Sequence, residues 1–537
     1  MPFRRSVALC LALALPLPGL AEEIEEAPVL EPGPATSAGG PLLHGKLELS
    51  LQDAIRMTLE NNLNVQVERY SPIIAHLDED VAWGAYDPTA FAEIGYNDQT
   101  TPNANALAGN TETRLRTTDG AGGFRGLLPW IGTEYEARYE GAKNSSNQAF
   151  ASLSPEYTSG WNVSLTQPIL RDLIWSQPWT QVQTNRILTK ESTENFRRAV
   201  MDEIQSVEDA YWTLIANAEA LRVAEKSKET AAALLDQTQT QYDVGVVSKV
   251  EVTEAEAGVA QRDVELIRAL NTYRNQQDVL IDLVLGPNLS AESSLEIVPQ
   301  DRPDDYTPYE IDVESAVSRA FQNRPEIIAA LKAIERSEVQ SAFARNQRLP
   351  ELDGIFSVGQ RGLSGQSSNR SFIPGGAFAP DQGGFRRSVD DYEDSPVYSG
   401  RARFSIPFPN TSAKSTESIR DLEMRRARTQ HRRLRQQIVI EVRQAARNLE
   451  ASQEGIEAAK KARIAAAEQL RAEEIRLEYG ESTPFDVLQR EEDLVDREQA
   501  EIDAFRSYRV SVTALDRAQG TILRSRNIKI ADVSPLR

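Results

Sequence analysis

Two long stretches of the chain carry apolar residues at heptad spacing, with no proline to interrupt them after Pro178. The first runs from Gln177 to Asp243, and the second repeats the pattern from about Ser412 to Glu478. Alternating steps of three and four residues form the seam of a coiled coil. At a rise of roughly 1.5 Å per residue, each stretch would make a helix about 100 Å long. The apolar positions are Phe196, Val200, Ile204, Val207, Tyr211, Leu214, Ala218 and Leu221 in the first stretch, and Ile438, Val442, Ala445, Leu449, Ile456 and Ala459 in the second.

A glycine-containing turn of one design follows each stretch. The segments "YDVGVVSKVEVTEAE" (242–256) and "LEYGESTPFDVLQRE" (477–491) align without a gap at an offset of 235. Glycine permits a left-handed backbone, and a Ser or Thr three residues later caps the helix that returns. We therefore predict two helical hairpins, 177–285 with its tip near residue 245 and 412–523 with its tip near residue 480. The aligned pairs are Gly245 with Gly480, Ser248 with Thr483, Glu251 with Asp486, and Val252 with Val487.

A second alignment shows that the chain consists of two halves built to one plan. The segment "LSLQDAIRMTLENNLNV" (49–65) matches "YEIDVESAVSRAFQNRPEI" (309–327) at an offset of 262, which also places Pro88 over Pro350. Because proline cannot continue a helix, we predict an opening helix of equal length in each half that ends at this proline. The predicted divisions are a first repeat at 47–290, a linker at 291–308, a second repeat at 309–525 and a tail at 526–537.

Beyond each of these prolines the pattern changes to that of β-strands. Four segments alternate with the strand period, at 89–99, 159–169, 351–360 and 398–408. In the second of them Trp161, Val163 and Leu165 share one face, which fits a membrane strand or a half-buried soluble hairpin. The polar stretches 100–154 and 361–396 between them are expected to be exposed loops, with 132–141 a candidate further strand. The helix–strand junctions are predicted at Pro88, Pro168, Pro350 and Pro407.

The composition favours long amphipathic helices over one large core. Aromatic residues make up 7% of the chain and charged residues 26%, with 80 acidic against 59 basic side chains. A net charge of −21 argues against a nucleic-acid partner, because phosphate contacts require clustered Lys and Arg. The acidity fits either a solvated surface or a negatively charged lumen.

The N-terminal sequence is that of an exported protein. Arg4 and Arg5 precede an apolar run at 7–17 and small residues before a cut after Ala21, which predicts a signal peptide at 1–21. The only cysteine, Cys10, lies inside the apolar run, so we expect neither a lipid anchor nor a disulfide in the mature chain. Residues 22–46 are rich in Pro, Gly and Ala and are predicted to be an extended tether.

The residues give little support for catalysis. His44, His76 and His431 are the three histidines, far apart in sequence and without the spacing of metal ligands. No glycine-rich phosphate loop follows a strand, and no nucleophile arrangement is present. We therefore expect no enzyme, no catalytic residue, no cofactor and no metal site.

Taken together, these segments resemble the outer membrane efflux proteins, the TolC-type exit ducts of Gram-negative bacteria. The resemblance covers about residues 47–523 and rests on the paired openings "LSLQDAIRMTLENN" and "VESAVSRAFQNRPEI", the strand ends "SLTQPIL" and "FSIPFPN", and the tips "YDVGVVSKVEV" and "EYGESTPFDVL". It implies an α+β membrane protein. Three copies would each lend four strands to a 12-stranded β-barrel in the outer membrane, continued by a periplasmic barrel of helices.

The resemblance also implies a function. Such ducts passively conduct substrates in tripartite efflux or type I secretion systems, docked to a periplasmic adaptor and an inner-membrane transporter. It assigns adaptor docking to the tip residues Gly245, Ser248, Val252, Gly480, Thr483 and Val487. The rival hypothesis is a periplasmic or cell-surface coiled-coil scaffold or adhesin without a pore.

In similar proteins acidic tip residues form a ring that narrows the periplasmic mouth. Asp486 stands at the first ring position here, with Glu251 as its counterpart in the first half, while Gln489 replaces the second acidic residue and Ser482 a gating arginine. The alternative for Asp486 is a role in starting the helix that follows.

Overall fold

The computed structural model describes residues 44–103, 111–148, 151–286, 294–302, 308–367, 383–390 and 395–530. The chain divides into two compact units. The hairpin unit comprises Met1–Tyr70, Arg197–Arg324 and Ile438–Arg537, and the sheet unit comprises Ser71–Phe196 and Pro325–Gln437. The predicted signal peptide and most of the predicted tether lie outside the described residues.

The helices dominate the chain. They are, in order, α1 (Leu51–Asn61), α2 (Leu63–Trp83), α3 (Gln177–Asp243), α4 (Lys249–Leu285), α5 (Val313–Asn323), α6 (Pro325–Asn346), α7 (Phe385–Asp390), α8 (Thr411–Glu478), α9 (Pro484–Gln519) and α10 (Ile522–Ser525). The long helices α3 and α8 have the bounds that the heptad pattern predicts, and α4 and α9 are the returning helices. No helix in the described part of the chain is long and apolar enough to span a membrane.

The opening of each half differs from the prediction of one helix that ends at a proline. Two helices stand there, separated by one extended residue, Asn62 in the first half and Arg324 in the second. The Asn62 side-chain oxygen accepts the Asn64 N–H at 2.7 Å, and so caps the start of α2. The second pair of helices, α5 and α6, begins 262 residues after the first. The prediction missed the break because the apolar pattern continues across it.

A two-stranded parallel sheet lies where a tether and a linker were expected. Strand β1 (His44–Leu49) pairs with β6 (Ser294–Pro299), so the predicted boundaries at 46 and at 291–308 are wrong. His44 therefore lies in a strand and not in the tether. The Tyr211 hydroxyl, on α3, lies 2.9 Å from the Leu49 carbonyl and 2.6 Å from Asp301 Oδ2. These bonds fix the strand pair to the long helix within the hairpin unit.

The second sheet has six antiparallel strands in the order β2-β3-β4-β5-β7-β8. They are β2 (Thr89–Pro102), β3 (Glu112–Leu127), β4 (Glu134–Ser146), β5 (Leu153–Pro168), β7 (Glu351–Ser367) and β8 (Pro396–Ser405). The four predicted strands are present with shifted ends. The expectation that 100–154 is an exposed loop is wrong, because β3 and β4 lie in it. The candidate strand at 132–141 overlaps β4.

The predicted heptad seam forms the core of the hairpin unit. Its residues on α3 are buried from Val200 to Leu214, and on α8 from Ile438 to Ile456. Ala218, Leu221 and Ala459, at the far end of each seam, are half-buried. Burial of one apolar stripe, with charge on the remaining surface, explains why a chain this rich in charge forms such long helices.

A buried ion pair ties the C-terminal segment to this core. Glu208 on α3 is 0% exposed, and Arg526 binds both of its carboxylate oxygens at 2.6 and 2.7 Å. The Thr513 hydroxyl on α9 donates to the same carboxylate. Ser525 donates to Asp516 at 3.1 Å, and burial raises the pKa of Asp516. The residues just past α10 therefore hold α3 and α9 together.

Replacing Arg526 with Ala is expected to loosen this region strongly, because it leaves the Glu208 charge buried without its partner. The expected loss is about 3–5 kcal/mol in the free energy of local opening. It is measured by hydrogen exchange of the α9 and α10 amides. The exposed Arg524 supplies the control, since Arg524→Ala should change protection by less than about 0.5 kcal/mol. Equal protection in the two variants would contradict the role of Arg526.

Candidate functional site

The six-stranded sheet has one apolar face that continues across every strand. The register places Ala90, Phe124, Ala137, Val163, Val358 and Tyr398 in a single row, one residue from each strand. Paired residues in a sheet point to the same side. Much of this face is open, since Ile94 is 91% exposed and Tyr398 is 78% exposed. Part of it is covered by α7, which packs Phe385 against Gly141 and places the Ser388 hydroxyl 2.9 Å from that of Ser159. An apolar surface of this extent requires a cover.

The opposite face is polar. The adjacent row contains Thr89, Arg125, Glu136, Ser164, Ser357 and Ser399. Charges of opposite sign meet on this face, where Arg138 lies 3.4 Å from Glu140 and 3.6 Å from Glu93. Alternation of apolar and polar faces over six strands is the pattern of a membrane barrel wall, with lipid on one side and water on the other.

Prolines mark one end of the sheet, where the strands join the helices. Pro88 precedes β2, Pro168 ends β5, Pro350 precedes β7 and Pro407 follows β8. All four lie where the chain passes between helix and strand, at the end of the sheet nearest α2, α3, α6 and α8 within the sheet unit. Their missing N–H suits the end of a ladder, where no hydrogen bond is lost.

The first hairpin turn has the geometry that its glycine predicts. Gly245 has a φ of +80°, and its N–H donates to the Tyr242 carbonyl at 2.9 Å. Ser248 and Glu251 form a capping box at the start of α4, in which the Ser248 N–H donates to Glu251 Oε1 at 3.2 Å. Glu251 therefore stabilises the turn by capping the start of α4.

The second turn repeats this arrangement. Gly480 has a φ of +74°, and its N–H donates to the Leu477 carbonyl at 3.0 Å. Thr483 and Asp486 form the capping box of α9: the Asp486 N–H donates to Thr483 Oγ1 at 3.3 Å, and that hydroxyl donates to Asp486 Oδ2 at 2.7 Å. The hydrogen bonds from Thr483 hold the pKa of Asp486 below its usual range, so its carboxylate is charged at neutral pH.

Not all of the predicted tip residues are available to a partner. Val252 and Val487 are each 6% exposed and belong to the core of the hairpins. Ser248, Thr483 and Gln489 are exposed. Six large apolar side chains close to them in the chain are also exposed, and none of these was among the predicted tip residues. These are Tyr242, Val244, Val246, Val250, Tyr479 and Phe485.

A buried polar cluster lies about two helical turns into α9, beyond the second tip. Glu491 is 4% exposed, and the Ser227 hydroxyl donates to its Oε1 at 3.2 Å. Arg262 is buried to the same degree and pairs with Glu265 at 2.8 Å. Burial raises the pKa of Glu491. Sequence reasoning missed this cluster, because its charges are not distinguishable from those of the solvated faces.

The structure brings together no catalytic or metal-binding constellation from the sequence candidates. His76 lies on α2 with its Nε2 3.9 Å from Asp80, and His431 lies on α8. Among the described residues, no group of three or more His, Cys, Asp or Glu side chains is placed to hold a metal ion.

A membrane-type sheet joined along the chain to two long helical hairpins defines an outer-membrane channel of the TolC-like class. Comparisons with known proteins agree with this class. Residues 125–284 and 316–521 match the model of the family "Outer membrane efflux protein". The chain belongs to the outer membrane efflux protein family, which consists of channels and not enzymes. Membership implies a place in the outer membrane and a role in efflux.

Solved structures show the same fold. The Campylobacter jejuni CmeC outer membrane channel is 15% identical at a TM-score of 0.61, with 88% of this chain and 86% of that chain covered. The Vibrio cholerae outer membrane protein VceC is 14% identical at 0.61, with 88% and 96% covered. The open state of the Neisseria gonorrhoeae MtrE outer membrane channel is 17% identical at 0.59, with 88% and 89% covered. No curated protein sequence matches the chain significantly.

The turn glycines generate a prediction that separates backbone strain from crowding. A Cβ at Gly480 would meet open space, as would one at Gly455 inside α8. Of these two glycines, Gly480 has a positive φ and Gly455 does not. Gly480→Ala should therefore destabilise the turn by about 1 kcal/mol, whereas Gly455→Ala should stabilise its helix by up to about 1 kcal/mol. Limited proteolysis with the cleavage sites mapped measures each effect locally, at the tip for Gly480→Ala and around residue 455 for Gly455→Ala. Unchanged or slower cleavage at the tip of the Gly480→Ala protein would contradict the assignment.

Proposed function

We propose that three copies of this chain form a passive exit duct of a tripartite efflux or type I secretion system. The sheets share one barrel in the outer membrane, and the helical hairpins extend into the periplasm. A periplasmic adaptor and an inner-membrane transporter supply the cargo. The observation that carries the proposal is the continuous apolar face of a sheet whose outermost strands, β2 and β8, are edges.

The edges give the reason for assembly. Within the described residues one chain has six strands in this sheet, too few to enclose an aqueous lumen. Unpaired N–H and C=O groups at a sheet edge are not tolerated in hydrocarbon. Pairing β8 of one copy with β2 of the next satisfies both edges and closes the wall. This mode of assembly also covers the apolar face with lipid.

The hairpin turns fit the proposed docking site. Their exposed apolar side chains, among them Val244, Val246 and Phe485, offer the hydrophobic surface that a protein interface needs at its centre. Gly245 and Gly480 supply two similar turns in each copy, so a trimer presents six related tips. The capping residues Ser248 and Thr483 hold the turns in shape for a partner.

Asp486 is proposed to line the constriction at the periplasmic mouth. Three such carboxylates around the axis would repel one another and attract cations. Glu251 is proposed to contribute at the counterpart turn. Gln489 is uncharged and leaves the ring with fewer negative charges than a second acidic residue would give.

The rival hypothesis, a coiled-coil scaffold without a pore, accounts for the long helices alone. It gives no reason for a six-stranded sheet with an open apolar face, or for membership of the efflux protein family. The two hypotheses differ in where the protein fractionates and in whether it conducts ions.

Membrane fractionation and gel mobility test the proposal. The protein should sediment with outer membranes, run as a detergent-resistant trimer until boiled, and form ion-conducting pores in planar bilayers. Each result follows from a shared wall in which inter-copy backbone hydrogen bonds are shielded from water. A water-soluble monomer or a non-conducting membrane protein would contradict the duct.

Replacing Asp486 with Asn should weaken the block of conductance by multivalent cations, because it removes three negative charges from the constriction. The expected change is an increase of about tenfold or more in the cation concentration for half block, measured in planar bilayers. Glu492→Gln is the control, since this exposed carboxylate lies on the same helix away from the turn.

Unchanged block in the Asp486→Asn protein would remove Asp486 from the constriction. It would leave the carboxylate with its capping role at the start of α9 alone.

A further inference from the structure

The sheet contains two strands more than the resemblance implies. The four expected strands correspond to β2, β5, β7 and β8, and the additional hairpin is β3–β4. This hairpin does not lie outside the sheet, because the strand order places β3 and β4 between β2 and β5. A wall that includes both β2 and β5 in this order therefore includes the hairpin as well.

Near its turn, the β3–β4 hairpin has the same two faces as the rest of the sheet, whereas farther along β3 the side of Phe124 carries Arg114 and Arg116, which pair with Asp98 on β2. Phe124 and Ala137 continue the apolar row that leads to Val163 on β5, and Arg125 and Glu136 continue the polar row. A lid or plug inside a lumen has no need of a dry face. The alternation is that of a strand with lipid on one side and water on the other.

The turn of the hairpin is fixed to the base of the sheet. The Leu128 N–H donates to the Thr133 carbonyl at 2.8 Å, and Gln167 Nε2 at the end of β5 donates to the Ile131 carbonyl at 3.0 Å. A Cβ at Gly132 would lie 2.7 Å from the Asp172 carbonyl oxygen, so the turn packs closely against the β5–α3 junction.

Three tryptophans meet at this end of the sheet. Trp130 in the turn packs edge-on against Trp179 at a ring distance of 6.5 Å, and Trp83 packs against the same ring at 5.9 Å. Trp130 remains 62% exposed. Aromatic side chains at the rim of a membrane sheet form the girdle at the lipid–water interface. The β3–β4 turn therefore lies at the depth expected for the rim of the wall.

We propose that each copy contributes six strands to the barrel wall, so that the trimer closes an 18-stranded barrel in which the β3–β4 hairpin is inserted between β2 and β5. The inference rests on the proposed trimeric duct and specifies its outer section. With strands about 4.8 Å apart and tilted by about 40°, 18 strands give a backbone diameter of about 36 Å, against about 24 Å for 12 strands. The outer section would have roughly twice the cross-sectional area.

The geometry of the edges permits this closure. The strands alternate in direction from β2 to β8, so β2 runs away from the helical end of the sheet and β8 runs toward it. The edge strands of two neighbouring copies therefore meet antiparallel. An even number of strands in each copy preserves this relation, and insertion of one hairpin leaves it unchanged.

Cysteine labelling of the full-length trimer in lipid nanodiscs tests the position of the hairpin. The test pair is Ala137→Cys and Glu136→Cys on β4, and the reference pair is Val163→Cys and Ser164→Cys at the matching register on β5. A water-soluble maleimide should label position 136 as fast as 164, within about threefold, and should leave 137 as protected as 163.

The outcomes separate the inference from the proposed function. Fast labelling at both 136 and 137, with 163 still protected, would place the hairpin outside the wall and overturn the inference alone. Fast labelling at both 163 and 164 would contradict a membrane wall altogether, and with it the proposed duct.

Removal of residues 112–146 gives a second test. The excision joins the end of β2 to the start of β5 on the same side of the sheet, so the remaining four strands keep their directions. Cross-sections of the trimer by cryo-electron microscopy should show 18 strands in the full chain and 12 in the excised chain. Twelve strands in the full chain would overturn the inference, and failure of the excised chain to assemble leaves the full-chain strand count as the deciding measurement.

Discussion

The two open edges of the six-stranded sheet are the constraint on which the rest of the account depends. One face of this sheet carries an apolar row from β2 to β8, much of it exposed, and in the proposed wall lipid covers it. Lipid in turn forbids free backbone N–H and C=O groups along an edge. Both requirements are met together when copies of the chain share one closed wall. In the proposed duct, assembly is thus a consequence of backbone hydrogen bonding in a medium without water.

The helical hairpins satisfy a different requirement. A chain with 26% charged residues cannot bury a large core, and the long helices bury only one seam each. The turns between them depend on Gly245 and Gly480, whose positive φ values other residues adopt only with strain. The C-terminal segment adds a buried charge pair, in which Arg526 holds Glu208 against α9. A few specific interactions therefore position the long helices, whose packing otherwise follows from the repeated heptad seam.

Much of this fold was predictable because it follows from local rules. Heptad spacing defined α3 and α8, and the glycine turns and their capping residues defined the hairpins. The β3 strand was missed because "DGAGGFRG" has glycines at positions where apolar side chains would otherwise mark one face of the strand. At Gly123 the structure leaves no room for a side chain, since an added Cβ would lie 2.1 Å from the Ala137 carbonyl oxygen. The pairing of β1 with β6 joins segments about 250 residues apart and leaves no local signal. Likewise, only the fold shows that Val252 and Val487 are buried while Phe485 is exposed.

Disulfide trapping between copies tests the central claim most directly. Cysteine at Tyr398 on β8 is combined in turn with cysteine at Ala90, Ala92, Ile94 or Tyr96 on β2, all on the apolar face. If β8 of one copy pairs with β2 of the next, at least one combination brings the two Cα atoms within about 5.5 Å and forms a bond between copies. A non-reducing gel should then show a ladder that ends at three chains. If every combination yields only single chains, the sheets of separate copies do not share one wall.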